Sequence, residues 1–226
     1  SAELSVKGDI VGGSGRTVAF TIEKTTDLNL TGETFGYGIT PPTSGTGITS
    51  GNIWFPASTV TVSGGSMTVT QDTSVASQNI AINLAGQPIG AFKVKVEGEP
   101  ISVSSIVFDV GTSTGAGRLT DITIVDSNGA VVAGPVDLAA SASNGGSVTF
   151  TDSVTFPIGE NSYTVKGKTA TNSTNDSTYQ LTTDAAVDWS SVTGDTTGNT
   201  IVPGPSGDQT FQTMTVKGAA VTLSTS

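Results

Sequence analysis

The 226-residue chain contains no histidine and no cysteine. Those two absences remove the common acyl-transfer triads, thiol nucleophiles, disulfides and His- or Cys-based zinc sites together. Catalysis would have to rest on the nineteen Asp and Glu residues, arranged as a pair on either side of a scissile bond. No such pair stands out. Glu97 and Glu99 flank Gly98 in a turn, and Asp184 and Asp188 sit in Thr-rich sequence; all four read as solvated surface acids. The chain is therefore read as a non-enzyme with no cofactor.

Other chemistry is weighed residue by residue. Asp121, Asp126 and Asn128 are hard oxygen ligands close in sequence, and Asp184, Asp188 and Asp195 form a sparser group. Neither follows the EF-hand loop or the calcium-binding nonapeptide, so hairpin-turn chemistry is the default at Asp126–Gly129. Trp54, Trp189, Tyr37, Tyr163 and Tyr179 are candidates for a sugar-stacking face, but Trp54-Phe55-Pro56 and Val187-Asp-Trp189 read as core plugs. An internal isopeptide bond would need a buried lysine. Lys93 and Lys95 alternate with Phe92, Val94 and Val96 and are expected to face solvent. Asn29, Asn172 and Asn175 begin Asn-x-Ser/Thr sequons and are candidate glycosylation sites.

The scaffold that must carry these residues is legible from composition and period. Only 12% of residues are charged, 29 are glycine, and the net charge is −10. Nine Lys and Arg are too few for a phosphate-binding surface, which excludes nucleic acid; no apolar stretch has the length of a membrane span. The opening Ser1-Ala2-Glu3 suits a mature terminus left by a signal peptidase, and the expected location is extracellular, at a cell surface. Apolar residues alternate with polar ones at Leu4/Val6/Ile10, Val18/Phe20/Ile22, Met67/Val69, Ile80/Ile82/Leu84, Phe92/Val94/Val96, Ile106/Phe108/Val110, Ile122/Ile124, Val148/Phe150, Tyr163/Val165 and Tyr179/Leu181. That is the period of half-buried strands. Asp126-Ser-Asn-Gly129 between two such runs predicts a hairpin. The expected fold is all-β, a β-sandwich of jelly-roll or Ig-like type.

A partial repeat sets the boundaries. Thr61-Val-Ser-Gly-Gly-Ser-Met-Thr-Val-Thr70 recurs as Thr215-Val-Lys-Gly-Ala-Ala-Val-Thr-Leu-Ser224. The first copy opens a long strand-rich stretch. The expected organisation is a small N-terminal β unit over residues 1–64, a sandwich over 66–217, and an orphan C-terminal strand at 219–226. A unit of about 64 residues without disulfide or metal lies near the lower limit of independent stability. A strand supplied by a neighbour would complete it. The candidate donor strand is 2–11, in which Leu4, Val6 and Ile10 share a face and Gly8 leaves room for close backbone approach; Val221 and Leu223 are the corresponding pair at the other end.

Val69-Thr-Gln-Asp72, Gln78-Asn-Ile80, Phe92-Lys-Val-Lys-Val96, Ser102-Val-Ser-Ser-Ile-Val-Phe108 and Leu119-Thr-Asp-Ile-Thr-Ile-Val-Asp126 resemble, in strand spacing and composition, the tandem Ser/Thr-rich β-sandwich domains of large prokaryotic surface proteins. The segment at 2–11 resembles the donor strand of assembled pilins. Those resemblances imply a repetitive, non-enzymatic, extracellular setting. The function expected is a structural subunit of a pilus-like filament or surface array, a homopolymer whose partner is a further copy of itself. A stalk, adhesin or S-layer-type module of a larger surface protein, and a carbohydrate-binding module with glycan partners, are the alternatives.

Overall fold

The structure is a computed structural model that describes residues 5–10, 16–39, 55–56, 58–139 and 145–218. The chain divides into two compact units, Ser1–Ser63 and Gly64–Ser226. It is almost entirely β.

In the smaller unit the strands are two residues long. They are β1 (Thr17–Val18), β2 (Thr21–Ile22), β3 (Leu30–Thr31), β4 (Gly38–Ile39), β5 (Phe55–Pro56) and β6 (Val60–Thr61). They form three separate antiparallel pairs, β1 with β6, β2 with β5 and β3 with β4. The expected strand at Val18–Ile22 is therefore broken, and it buries no face: Val18 and Phe20 are exposed, as are Leu30, Ile39 and Val60. Alternation alone does not make a strand; a ladder partner must be present to satisfy the backbone. The same holds for residues 5–10, where Val6, Gly8 and Ile10 lie outside any strand and exposed. Leu4 lies outside the described residues, as does Trp54.

The larger unit holds the long strands. They run β7 (Ser66–Gln71), β8 (Asn79–Ala81), β9 (Gln87–Glu97), β10 (Ile101–Val103), β11 (Ile106–Thr112), β12 (Thr120–Val125) and β13 (Val131–Val136). After these come β14 (Gly145–Phe150), β15 (Val154–Phe156), β16 (Gly159–Lys168), β17 (Thr178–Thr183), β18 (Thr193–Gly194), β19 (Gln209–Thr210) and β20 (Met214–Lys217). One sheet has the order β13-β12-β16-β9-β7. A second has the order β14-β11-β17-β20-β8, with β19 on β17, and a small third sheet is β15-β10-β18. The arrangement is sandwich-like. Its named strands pair antiparallel except β20 and β8, which run parallel with Val216 opposite Ile80, and an isolated parallel bridge joins Thr68 of β7 to Gly204.

Inward positions alternate as read from the sequence. Phe92, Val94 and Val96 of β9 are buried, and Lys93 and Lys95 point out to pair with Glu160 and Glu97. The Asp126–Gly129 turn closes the β12–β13 hairpin: Asp126 Oδ1 accepts from the Asn128 and Ala130 amides, and Gly129 takes φ +83°. Every aromatic ring of this unit is buried, among them Trp189 and Tyr179. Phe92 of one sheet meets Phe108 of the other at 5.5 Å between ring centres, and both touch Trp189 and Phe211. Ring pairs of this kind add about 0.5–1.5 kcal/mol beyond the area they bury.

Truncating this junction of sheets separates the two units experimentally. Phe92→Ala is expected to lower the stability of the larger unit by about 3–5 kcal/mol, and Phe20→Ala to change stability by no more than about 0.5 kcal/mol. Denaturant unfolding followed by tryptophan fluorescence checks both.

Candidate functional site

The most organised polar constellation lies where the chain enters the larger unit. Glu99 was expected in solvent and is instead buried, at 5% exposure. The turn after β9 brings it inward. Gly98 takes φ +88°, a backbone conformation that places the next side chain under Gly65 and the β18 turn. Its Oε1 accepts from the Gly65 amide at 3.2 Å and from the Thr197 hydroxyl at 2.6 Å. Its Oε2 accepts from the Thr196 and Thr197 amides, each at 2.7 Å. A carboxylate out of water costs several kcal/mol unless compensated, and here the compensation is four donors rather than a cation. Burial pushes the Glu99 carboxyl upward, but the Thr197 hydroxyl and the Thr197, Thr196 and Gly65 amides outweigh it and hold the group below the ordinary glutamate value.

Small residues make room for it. A Cβ on Gly194 would lie 2.3 Å from Glu99 Oε1, and one on Gly65 2.9 Å from Glu99 Cγ. Glycine at both positions is therefore a packing requirement of the buried carboxylate. The site ties β7's first turn, the end of β9 and the 194–199 turn into one body. The chemistry these contacts perform is anchoring.

A second buried acid does similar work. Asp72 accepts from the Ser74 amide at 2.9 Å, and Gln212 Nε2 donates to its carbonyl at 2.8 Å. Burial raises its carboxyl, and the Ser74 amide, the Ser162 and Ser74 hydroxyls and the Lys93 charge more than reverse that, leaving it lowered.

The remaining expected sites are placed as follows. Asp184 caps a short helix, α1 (Ala185–Asp188), through the Ala186 amide, and also accepts from Gly207. Asp121, Asp126 and Asn128 stay with the β12–β13 hairpin, and among the described residues no group of three or more acidic side chains could hold a metal. Tyr163, Tyr179 and Trp189 belong to the core, while Tyr37 is exposed in the smaller unit. Asn29 and Asn172 are exposed. Asn175 is exposed as well, and its side chain donates to Asp176 and accepts from the Gly218 amide, beside the Lys217–Asp176 ion pair. Val221 and Leu223 lie outside the described residues. Glu99 is the residue that sequence reasoning missed; the signal was Gly-Glu-Pro at a strand end, which does not distinguish a buried acid from a turn acid.

Because Glu99 is held below its unfolded value, the stability it contributes is present above the ordinary carboxylate range and is lost as pH falls through its folded value. Glu99→Gln is expected to destabilise the larger unit by about 2–4 kcal/mol at pH 7, since it trades a charge-assisted acceptor for a mismatched amide, and to flatten the acid limb of stability. Thermal unfolding between about pH 3 and 7 checks this; an unchanged acid limb in the variant would show that other carboxylates set it. These roles rest on geometry alone, because no protein-family model matches the chain and no curated protein matches its sequence.

Proposed function

We propose that the chain is a non-catalytic structural module of an extracellular surface protein or fibre, joined head to tail to similar units along one polypeptide. The observation that carries this reading is the position of the repeat. Residues 60–71 comprise the last strand of the smaller unit, β6, two glycines, and the first strand of the larger unit, β7. The matching stretch 214–224 begins on β20, the last described strand of the larger unit. The first copy of the phrase thus coincides with a hand-over from one unit to the next, and the second starts on the last described strand, an arrangement in keeping with the tandem-domain resemblance.

Closure of the larger unit supports the same reading. Its first and last strands are both paired inside it, β7 with β9 and β20 with β17 and β8. The free side of β7 is engaged too: Val69 N donates to Gly204 O at 2.7 Å and Gly204 N to Met67 O at 2.8 Å. No described inward position of β7, β9 or β20 stands open for a strand from elsewhere, since Met67, Val69, Val94, Met214 and Val216 are all buried. The parallel β8–β20 pair suits a load-bearing role.

Strand donation between copies is the second reading, and the exposed apolar side chains of the smaller unit favour it there: Val18, Phe20, Leu30, Ile39 and Val60 are all more than 40% exposed. Light scattering and negative-stain imaging of the chain separate the two. The tandem reading expects a monomer at micromolar concentration; fibres that vanish when residues 1–11 or 219–226 are deleted would replace it with donation. In single-molecule stretching, Thr215→Pro is expected to lower the unfolding force of the larger unit, because it deletes the amide that donates to Gln78 O at 2.9 Å. An unchanged force would remove β20 from the load path.

A further inference from the structure

A half-open pocket of about 280 Å³ lies in the larger unit at the turn end of the β12–β13 hairpin. It is lined by Asp126, Asn128, Thr155, Asn161, Ser162 and Tyr163, with Pro157 and Val132 supplying apolar contact. The structural-module reading uses none of it.

Tyr163 makes this pocket more than a surface dent. Its ring is fixed in the core, stacked on Phe92 at 5.5 Å and edge-on to Phe156 at 5.1 Å, and the residue is 5% exposed. The other two buried rings with polar tips are satisfied: Tyr179 donates to Gly117 O at 2.6 Å, and Trp189 donates to Thr183 Oγ1 at 3.0 Å. The Tyr163 hydroxyl has no hydrogen-bond partner among the described residues. Burial, with the Asp126 charge as a lesser cause, raises its pKa, so it remains a donor at neutral pH. The hydroxyl is not sealed in the core but opens on the pocket, where a partner can reach it.

The lining selects the class of partner. Asp126 repels anions. A hard cation would need several oxygens, and the Asp126 Oδ1 atom is already committed to two backbone amides. The Thr155 hydroxyl is shared with Ser102 and the Ser162 hydroxyl with Asp72, but two carboxamides, one carboxylate and a phenol offer donors and acceptors together, beside small apolar patches, which matches a neutral polyhydroxylated ring. Pockets for drug-sized ligands run from about 300 to 1,000 Å³, so this one admits a single ring. We infer that the pocket bounded by Asp126, Asn128, Asn161 and Tyr163 binds one pyranose residue of a neutral sugar, with the Tyr163 hydroxyl donating to a sugar oxygen. The inference does not depend on head-to-tail linkage.

The test is a heteronuclear NMR titration of the whole chain with the methyl glycosides of glucose, galactose, mannose and N-acetylglucosamine, and separately with calcium chloride. Sugar is added to about 50 mM, because a small ligand held by a few hydrogen bonds binds in the millimolar range. At least one glycoside is expected to give saturable shifts confined to Asn128, Asn161 and Tyr163. Tyr163→Phe, which keeps the ring and its packing, is expected to weaken that binding about tenfold while leaving the unfolding midpoint unchanged or raised. Asn161→Ala, at a partly exposed position, is expected to weaken it as well. No saturable shift with any of the four sugars, sugar binding indifferent to both substitutions, or saturation by calcium alone would overturn the inference.

Discussion

The contact between Phe92 and Phe108 is the interaction on which the larger unit depends. Large apolar side chains are scarce in this chain, with eight Phe, three Tyr and two Trp in 226 residues. The larger unit gathers eight of these thirteen rings and buries all of them. Phe92 and Phe108 come from different sheets, and between them they touch Trp189, Phe211, Tyr163 and Phe150. The cluster joins the two sheets face to face at the centre of a core otherwise built from buried Val, Ile, Leu and Met side chains. The smaller unit has no comparable cluster among its described residues, and its ladders stay two residues long.

Once the aromatic centre is set, the polar chemistry becomes that of finishing and fastening. Thr183 accepts from the Trp189 indole and donates to Val107 O, so a single hydroxyl links the core tryptophan to β11. Glu99 fastens the first turn of β7 to the 194–199 turn without any positive partner, which fits a chain with only nine cations. Sheet edges are handled in the same economical way. β8 is three residues long, β13 carries Pro135 and register shifts, and the Gly204 strand-like segment lies along β7. Blunted edges keep a β module from pairing sideways.

Much of this was legible in the residues, because period two is a local property. β7, β9, β11, β12, β16 and β17 coincide with the alternating runs, and the Asn128-Gly129 turn required only its own residues and Asp126. What depended on distant partners was not legible. Glu99 is buried by groups 34, 97 and 98 positions away, and no local pattern announces them. At residues 5–10 and Val18–Ile22 the alternation was present, but residues 5–10 lie outside any strand and Val18–Ile22 is split between two-residue pairings with β6 and β5, too short to turn alternation into a buried face. Tyr163 alternates with Val165 as a half-buried strand requires, but that its hydroxyl meets the pocket emerges only once Phe92 and Phe156 fix the ring.

The central claim is that the larger unit completes its sheets with its own strands. Amide hydrogen exchange at β7 and β20, measured across about a hundredfold range of protein concentration, addresses it most directly, since protection conferred by another molecule follows mass action and protection within one molecule does not. Exchange rates at residues 66–71 and 214–217 that are slow and independent of concentration are the predicted result. Protection of either strand that falls away on dilution would contradict it.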